Sequence, residues 1–310
     1  MLEIGTQTAG WLSFAKPEES LARAKRLGFE TMDLGFPQLA YDATAKTILP
    51  SRYDLSAEEF MQPYVNMKKY AEQFEIGIAH AHAPFPIWRK GEDEHNAFMM
   101  TALEKVMRTC AAVGCPAVVI HPVTRSSKKD EWETNMSLYR QLMPIAKETG
   151  VKICLENLFT VGTGRVLEGV CADAEEAVRY IDALNAEAGA DCFGFCFDVG
   201  HANLLHKNIR RYLEILGNRL TCLHIHDNDG QNDLHMAPYT QTRYYKTCTC
   251  ALDWELFIEG LRSIGYRGSM CFETFRVTNL TPQPLWDSAL THIINIGKYF
   301  RDRILAEEEA

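Results

Sequence analysis

Eight times along the chain, a short apolar run is followed by a longer amphipathic stretch. The runs cover 2–7, 30–36, 76–82, 116–122, 151–157, 192–198, 219–226 and 268–274. Each is bounded by turn residues and too short for a core helix, which reads as a buried strand. The stretches at 17–28, 57–74, 95–113, 132–149, 172–184, 206–216, 253–265 and 285–300 carry apolar residues at helical spacing. Punctuation agrees with this reading. Pro17, Glu18 and Glu19 open the first helix and Gly28 closes it, while Gly150 ends the fourth. Strands separated by helices run parallel, with right-handed crossovers. Eight such units predict an α/β chain folded as one closed (β/α)8 TIM barrel, a single domain over 1–310. An open doubly wound sheet is the alternative, but no Gly-rich phosphate loop follows any strand. Residues 37–55 and 227–252 read as long loops, where a barrel places its substrate-facing extensions. The tail 301–310 reads as frayed.

Apolar residues at 46% and charged residues at 24% are ordinary for a globular chain and exclude disorder as the main state. Lys and Arg total 32 against 41 Asp and Glu, a formal net charge of −9. That balance makes nucleic acid an unfavourable partner. No apolar run reaches the ~18 residues of a membrane span, and no basic segment followed by an apolar core opens the chain. Most of the ten cysteines lie within apolar runs, so the expectation is reduced thiols in a cytoplasmic protein. Cys248 and Cys250 could hold a metal, but two cysteines alone are a weak signal.

Ionisable residues recur where the strands end. Strand 3 ends in His80 and His82, strand 4 in His121, strand 5 in Glu156 and Asn157. Strand 6 ends in Asp198, with His201 three residues on. Strand 7 ends in His224, His226 and Asp227, and strand 8 in Glu273. In a barrel these ends share one mouth, where active sites of this fold sit. Any one of them alone reads more simply as a hydrogen-bonded structural residue. As a set, Glu156, Asp198, His224 and Glu273 come from four successive strands. Three carboxylates at one mouth repel each other unless a cation compensates. Three oxygens and one nitrogen suit one divalent ion such as Mn²⁺, Mg²⁺, Co²⁺ or Zn²⁺. His224 and His226 are two apart and point the same way, so spacing alone does not choose the nitrogen. Asn157 and Asn203 are candidate donors to the ligands or the substrate. Trp11, Phe36, Phe85 and Trp88 are candidate pocket walls.

The motifs HAHAPF (80–85), VVIHP (118–122), LEN (155–157), FDVGHAN (197–203), LHIHDNDGQNDLH (223–235) and CFETF (271–275) come in an order and at spacings that resemble a known family. It is the xylose isomerase-like barrels, which include sugar and sugar-phosphate isomerases and epimerases, inosose-processing enzymes and the endonuclease IV branch. The resemblance covers about 2–300. It implies metal binding by Glu156, Asp198, His224 and Glu273, with Glu156 and Glu273 also serving as catalytic acid–base groups. It implies substrate contacts for His82, His121, His201, Asp233 and His235, residues that the endonuclease branch uses as further metal ligands. The implied activity is a metal-dependent sugar isomerase or epimerase working through an enediolate on a sugar or polyol. The alternatives are an endonuclease IV-like phosphodiesterase and an inosose dehydratase-like lyase. Against the nuclease stand the acidic charge and an Asp-x-His pair only nine residues beyond His224. No Arg/Lys-rich, aromatic-interleaved loop suited to gripping DNA is evident either; Arg125, Lys128 and Lys129 form one small cluster and the tract from Arg243 to Lys246 another. Against a ketose 3-epimerase stands DNDGQND, where that subgroup carries an Arg. Barrels of this family often assemble, so a homo-oligomer fits the resemblance.

Overall fold

The structure is a computed structural model that describes residues 2–241 and 251–306. The apolar runs form β1 (Ile4–Gln7), β2 (Thr31–Gly35), β3 (Gly77–His82), β4 (Ala117–Val119), β5 (Lys152–Glu156), β6 (Phe193–Asp198), β7 (Leu220–Ile225) and β8 (Met270–Phe272). Each pairs in parallel with its sequence neighbours, and β1 pairs with β8, so the sheet closes into a barrel with no free edge. The ring of helices is α1 (Pro17–Leu27), α2 (Ala57–Gln73), α3 (Asp93–Val113), α4 (Lys128–Thr149), α5 (Ala174–Ala188), α6 (Ile209–Leu216), α7 (Trp254–Ser263) and α8 (Trp286–Leu305).

Local chemistry sets the boundaries. Ser56 and Glu59 form a reciprocal capping box at the start of α2, and Ser127 caps α4 through the Asp130 amide. Gly28 ends α1 in the left-handed conformation, at φ 105°. Side chains alternate along the strands. On β7, Leu223 and Ile225 face the helices in the main core, while Cys222 faces inward with Cys154, Cys196, Ala117 and Val119. This small apolar layer fills the barrel beneath the mouth. The inward residue two positions further along β5, β6 and β7 is Glu156, Asp198 and His224 respectively.

Two expectations are corrected. The tail is not frayed from 301, because α8 continues to Leu305. Ile304 is buried there, and Arg301 pairs with Glu30 at 2.9 Å. The 37–55 loop contains a short hairpin, Tyr41–Asp42 with Thr47–Ile48. A second hairpin, Phe159–Gly162 with Arg165–Glu168, follows β5 and turns through Thr163 and Gly164, both at positive φ. The eight cysteines among the described residues are free and buried. Cys248, Cys250 and the tract from Arg243 to Lys246 lie outside the described residues. Among the described residues, no helix is long and apolar enough to cross a membrane.

Candidate functional site

The strand ends bring the four proposed ligands to one point. His224 Nδ1 lies 3.2 Å from Glu156 Oε1, 3.6 Å from Glu273 Oε2 and 4.0 Å from Asp198 Oδ2. Asp198, His224 and Glu273 offer ligand atoms that all lie within 4.8 Å of one another, a spacing that donors ~2.0–2.3 Å from one divalent ion can have, and Glu156 adjoins them through His224 in a second group with His82. The backbone explains the aim. Pairing of β6 with β7 slips by one residue at Thr221, a bulge that turns Cys222 and then His224 inward. Asn157 clamps the ends of β5 and β6: its amide donates to the Asp198 carbonyl at 2.7 Å and its oxygen accepts from the Asp198 N–H at 2.8 Å. Asp198 Oδ1 in turn accepts from the His201 N–H at 2.6 Å, capping a short helix, Val199–Leu204. Gly200 in that helix is packed so closely against the His226 ring that a Cβ would collide with it.

The remaining candidates flank this centre on two sides. On one side, His82 Nε2 and His121 Nε2 are 3.0 Å apart, and His121 Nε2 is 2.8 Å from Glu156 Oε2. On the other, a loop leaves β7 and returns where Asp227 and Met236 pair through their backbones. Its turn carries Asp233 and His235 over the mouth. Asp233 Oδ2 is 2.9 Å from His235 Nε2 and 3.7 Å from His201 Nε2, and Asp233 Oδ1 is 3.6 Å from His226 Nε2. The structure separates the two histidines at the end of β7, His224 within it and His226 just beyond it. His224 faces all three carboxylates of the proposed set, whereas His226 lies 3.1 Å from Asp198 and stacks on His235. Asn203 donates to Asn228 at 2.8 Å and so braces this loop.

Burial and crowding set the charge states. Burial raises the Glu156 carboxyl, but His224 and His121 beside it outweigh that and hold it well below the usual range. Burial likewise opposes the charged form of Asp233, and hydrogen bonds from His201 and His235 keep its carboxylate ionised. Burial lowers the histidines, yet neighbouring carboxylates lift His224 well above its ordinary value, His201 to about 10 and His235 to about 9. Burial and His121 instead pull His82 down to about 4. Near neutral pH the carboxylates are therefore balanced by protons on histidine. A cation at this site must displace such protons, because only a deprotonated imidazole nitrogen ligates. Mn²⁺ affinity is therefore expected to rise with pH, because ligation takes a proton from His224, which the neighbouring carboxylates hold well above its ordinary value. Calorimetry in two buffers of different ionisation enthalpy should show about one or more protons released per ion near pH 7. Binding with no proton release would contradict this account.

The space above the cluster is a cavity of about 270 Å³ lined by His82, His121, Glu156, His201, Asp233, His235 and Glu273, with Phe85, Leu158 and Phe159 as its apolar walls. This is below the roughly 300–1,000 Å³ of a drug-sized pocket and suits a small polar molecule. Of the four expected aromatic walls, only Phe85 lines it. Phe36 belongs to a neighbouring cavity of about 350 Å³ with Phe14, Arg52 and Tyr64. Trp11 packs near Phe29, and Trp88 lies under Arg125. Leu158 and Phe159 escaped the sequence reading because the second hairpin escaped it. Asp33 and His80 are also present beneath His224. His80 was visible at a strand end, but Asp33 was hidden inside the apolar strand ETMDLGF.

A family profile described as xylose isomerase-like TIM barrel matches residues 21–296. The chain belongs to this family. Among solved structures, a D-tagatose 3-epimerase-like protein is 17% identical, with TM-score 0.71 and 98% of each chain covered. An L-ribulose 3-epimerase is 16% identical, with TM-score 0.69 and 100% of each chain covered. The 3-keto-D-glucoside 4-epimerase YcjR of E. coli is 17% identical at TM-score 0.67, covering 95% of this chain and 100% of that one. At these identities the likeness establishes the shared barrel alone. An uncharacterised protein of Sinorhizobium fredii, y4fM, is 29% identical over 53% of this chain, and the match spans 49% of its length. The uncharacterised protein MJ1311 of Methanocaldococcus jannaschii is 26% identical over 65% of this chain and 66% of its own.

Proposed function

We propose that this barrel is a divalent-metal-dependent sugar or polyol isomerase or epimerase. The observation that carries the reading is His224 Nδ1 faced by three carboxylates, two of which, Glu156 and Glu273, line a small cavity. Several solved barrels of similar fold being sugar epimerases supports it. Glu156, Asp198, His224 and Glu273 are the residues that would hold the ion. Bound there, a divalent cation supplies Lewis acidity that polarises a substrate carbonyl and acidifies the neighbouring C–H.

The chain's own groups do the proton work. Glu156 and Glu273 come from β5 and the end of β8, so their carboxylates border the cavity from different directions. One takes the proton from the carbon beside the carbonyl, and the electron pair of that C–H moves toward the carbonyl oxygen as an enediolate. The same or the other carboxylate returns the proton at the neighbouring carbon or on the opposite face. His82 and His121 on one flank, and His201, Asp233 and His235 on the other, would hold substrate hydroxyls and fix which carbon is exposed. Phe85 and Phe159 would cover the less polar face of the ring and keep bulk water out.

A second reading has its own support. The two flanks could hold further ions beside the first, which is the arrangement a phosphodiesterase uses to stabilise attacking and leaving oxygens. The walled cavity and the net charge of −9 favour the small polyol over a duplex. The test uses metal-stripped protein reconstituted with Mn²⁺, Co²⁺, Mg²⁺ or Zn²⁺ and offered ketoses, aldoses, keto-inositols and abasic DNA. Turnover of a polyol that depends on the added ion is expected. Cleavage of the abasic strand, with two or more ions per chain lost in Asp233→Ala, would overturn the isomerase reading.

A further inference from the structure

Below His224, on the side away from the cavity, two buried polar residues face its second ring nitrogen. Asp33 comes from β2 and His80 from β3, and each is 2% exposed. Asp33 Oδ2 is 3.7 Å from His224 Nε2, and Asp33 Oδ1 is 3.7 Å from His80 Nε2. Asp33 Oδ1, His80 Nε2 and His224 Nε2 are all buried and make no hydrogen bond among the described residues. Buried polar groups of this kind are normally paired, so their convergence on one another calls for a reason.

The backbone is shaped to produce this convergence. Pairing of β2 with β3 slips at Ala79, so that Met32 faces Ile78 but Asp33 faces His80. Bulges near active sites commonly re-aim a side chain in this way. The bulge at Thr221 does the same for His224 on β7. Two independent register slips thus aim His80 and His224 toward the one carboxylate of β2. Meanwhile His224 turns its other nitrogen, Nδ1, to Glu156, Asp198 and Glu273. A histidine that ligates through one nitrogen must keep its proton on the other, and an acceptor behind the ring fixes both tautomer and orientation.

We propose that Asp33 is a positioning residue for His224. With an ion on Nδ1, Asp33 would close the present 3.7 Å separation and accept from Nε2–H, while His80, 3.7 Å from Asp33 Oδ1, limits its movement from β3. The inference rests on the metal reading above. It adds a residue that touches neither ion nor substrate and sits in a strand whose sequence shows no motif.

The test reads metal binding and ring state separately from activity. Full-length protein with ¹⁵N-labelled histidine is loaded with Zn²⁺ and examined by long-range ¹H–¹⁵N correlation, with His224 assigned by comparison with His224→Asn. The expected result is a protonated, hydrogen-bonded and slowly exchanging Nε2 on His224. Calorimetry with Mn²⁺ should show Asp33→Leu weakening binding about 10–100-fold, with Asp33→Asn, which keeps an acceptor, recovering part of the loss. Zn²⁺ on Nε2, or a freely exchanging Nε2–H, would overturn the inference even if Asp33→Leu fails to fold. So would a folded Asp33→Leu protein that binds Mn²⁺ within about twofold of the wild type. A wild-type protein that binds neither ion would overturn the metal reading and this inference together.

Discussion

Glu156→Gln and Glu273→Gln are each expected to remove turnover of the sugar, lowering kcat by about 10²–10⁴ or more, the scale of a lost general acid–base group. The two substitutions should differ in how they fail. Glu156 is almost fully buried, and its two oxygens lie within 4 Å of four histidines, His82, His121, His201 and His224. Exchanging its charge for an amide leaves those imidazoles without their shared anion, so Mn²⁺ affinity should fall along with kcat. Glu273 is the more open carboxylate, with Oε2 3.6 Å from both His224 Nδ1 and His235 Nδ1. Glu273→Gln should therefore keep more of the metal affinity while losing the proton transfer. Kinetics and calorimetry on the same preparations separate the outcomes. A variant that binds Mn²⁺ normally and still exchanges the substrate proton would show that its carboxylate is not the base.

Phe300→Ala is expected to destabilise the barrel by about 3–5 kcal/mol, as measured by denaturant unfolding of the metal-free protein. Phe300 is fully buried on α8, with ring centroids 5.3 Å from Trp254, 5.8 Å from Phe257 and 6.3 Å from Phe272. These rings come from α7 and β8, so α8 holds the last strand against its neighbours through one aromatic cluster. Phe272 immediately precedes Glu273, which ties this packing to the mouth. A midpoint unchanged from wild type would mean that the cluster does not hold the closing strand. The substitution should also weaken Mn²⁺ binding by more than an exposed change such as Leu280→Ala, which sits at the surface.

The barrel was legible because its signal is repeated. Eight apolar runs at strand length, each followed by a helical period, admit few topologies once parallel pairing and right-handed crossovers are imposed. The strand-end carboxylates and histidines were legible for the same reason, since the fold sends all such ends to one mouth. Which histidine at the end of β7 faces the carboxylates was not legible from spacing, because residues two apart share a face. The family resemblance pointed to His224, and the bulge at Thr221 supplies the geometry. Register slips leave no mark in composition, so Asp33 read as part of an apolar strand and its meeting with His80 and His224 stayed hidden. The Phe159–Glu168 hairpin was missed because strands of four residues joined by Thr163 and Gly164 are shorter than the periodicity needed to see them. With it went two walls of the cavity, Leu158 and Phe159. The end of α8 was misread because a run of charges at 301–303 looks solvated, although Ile304 is buried and Arg301 is tied to Glu30.

The central claim is that this mouth moves a proton on a small polyol with the help of one divalent ion. Its most direct test is turnover in D₂O by protein reconstituted with Mn²⁺, with product and recovered substrate read by NMR. The account predicts solvent deuterium at the carbon beside the carbonyl, lost when the ion is stripped and lost again in Glu273→Gln. A sugar converted by the reconstituted protein with no deuterium in either product or recovered substrate would contradict it.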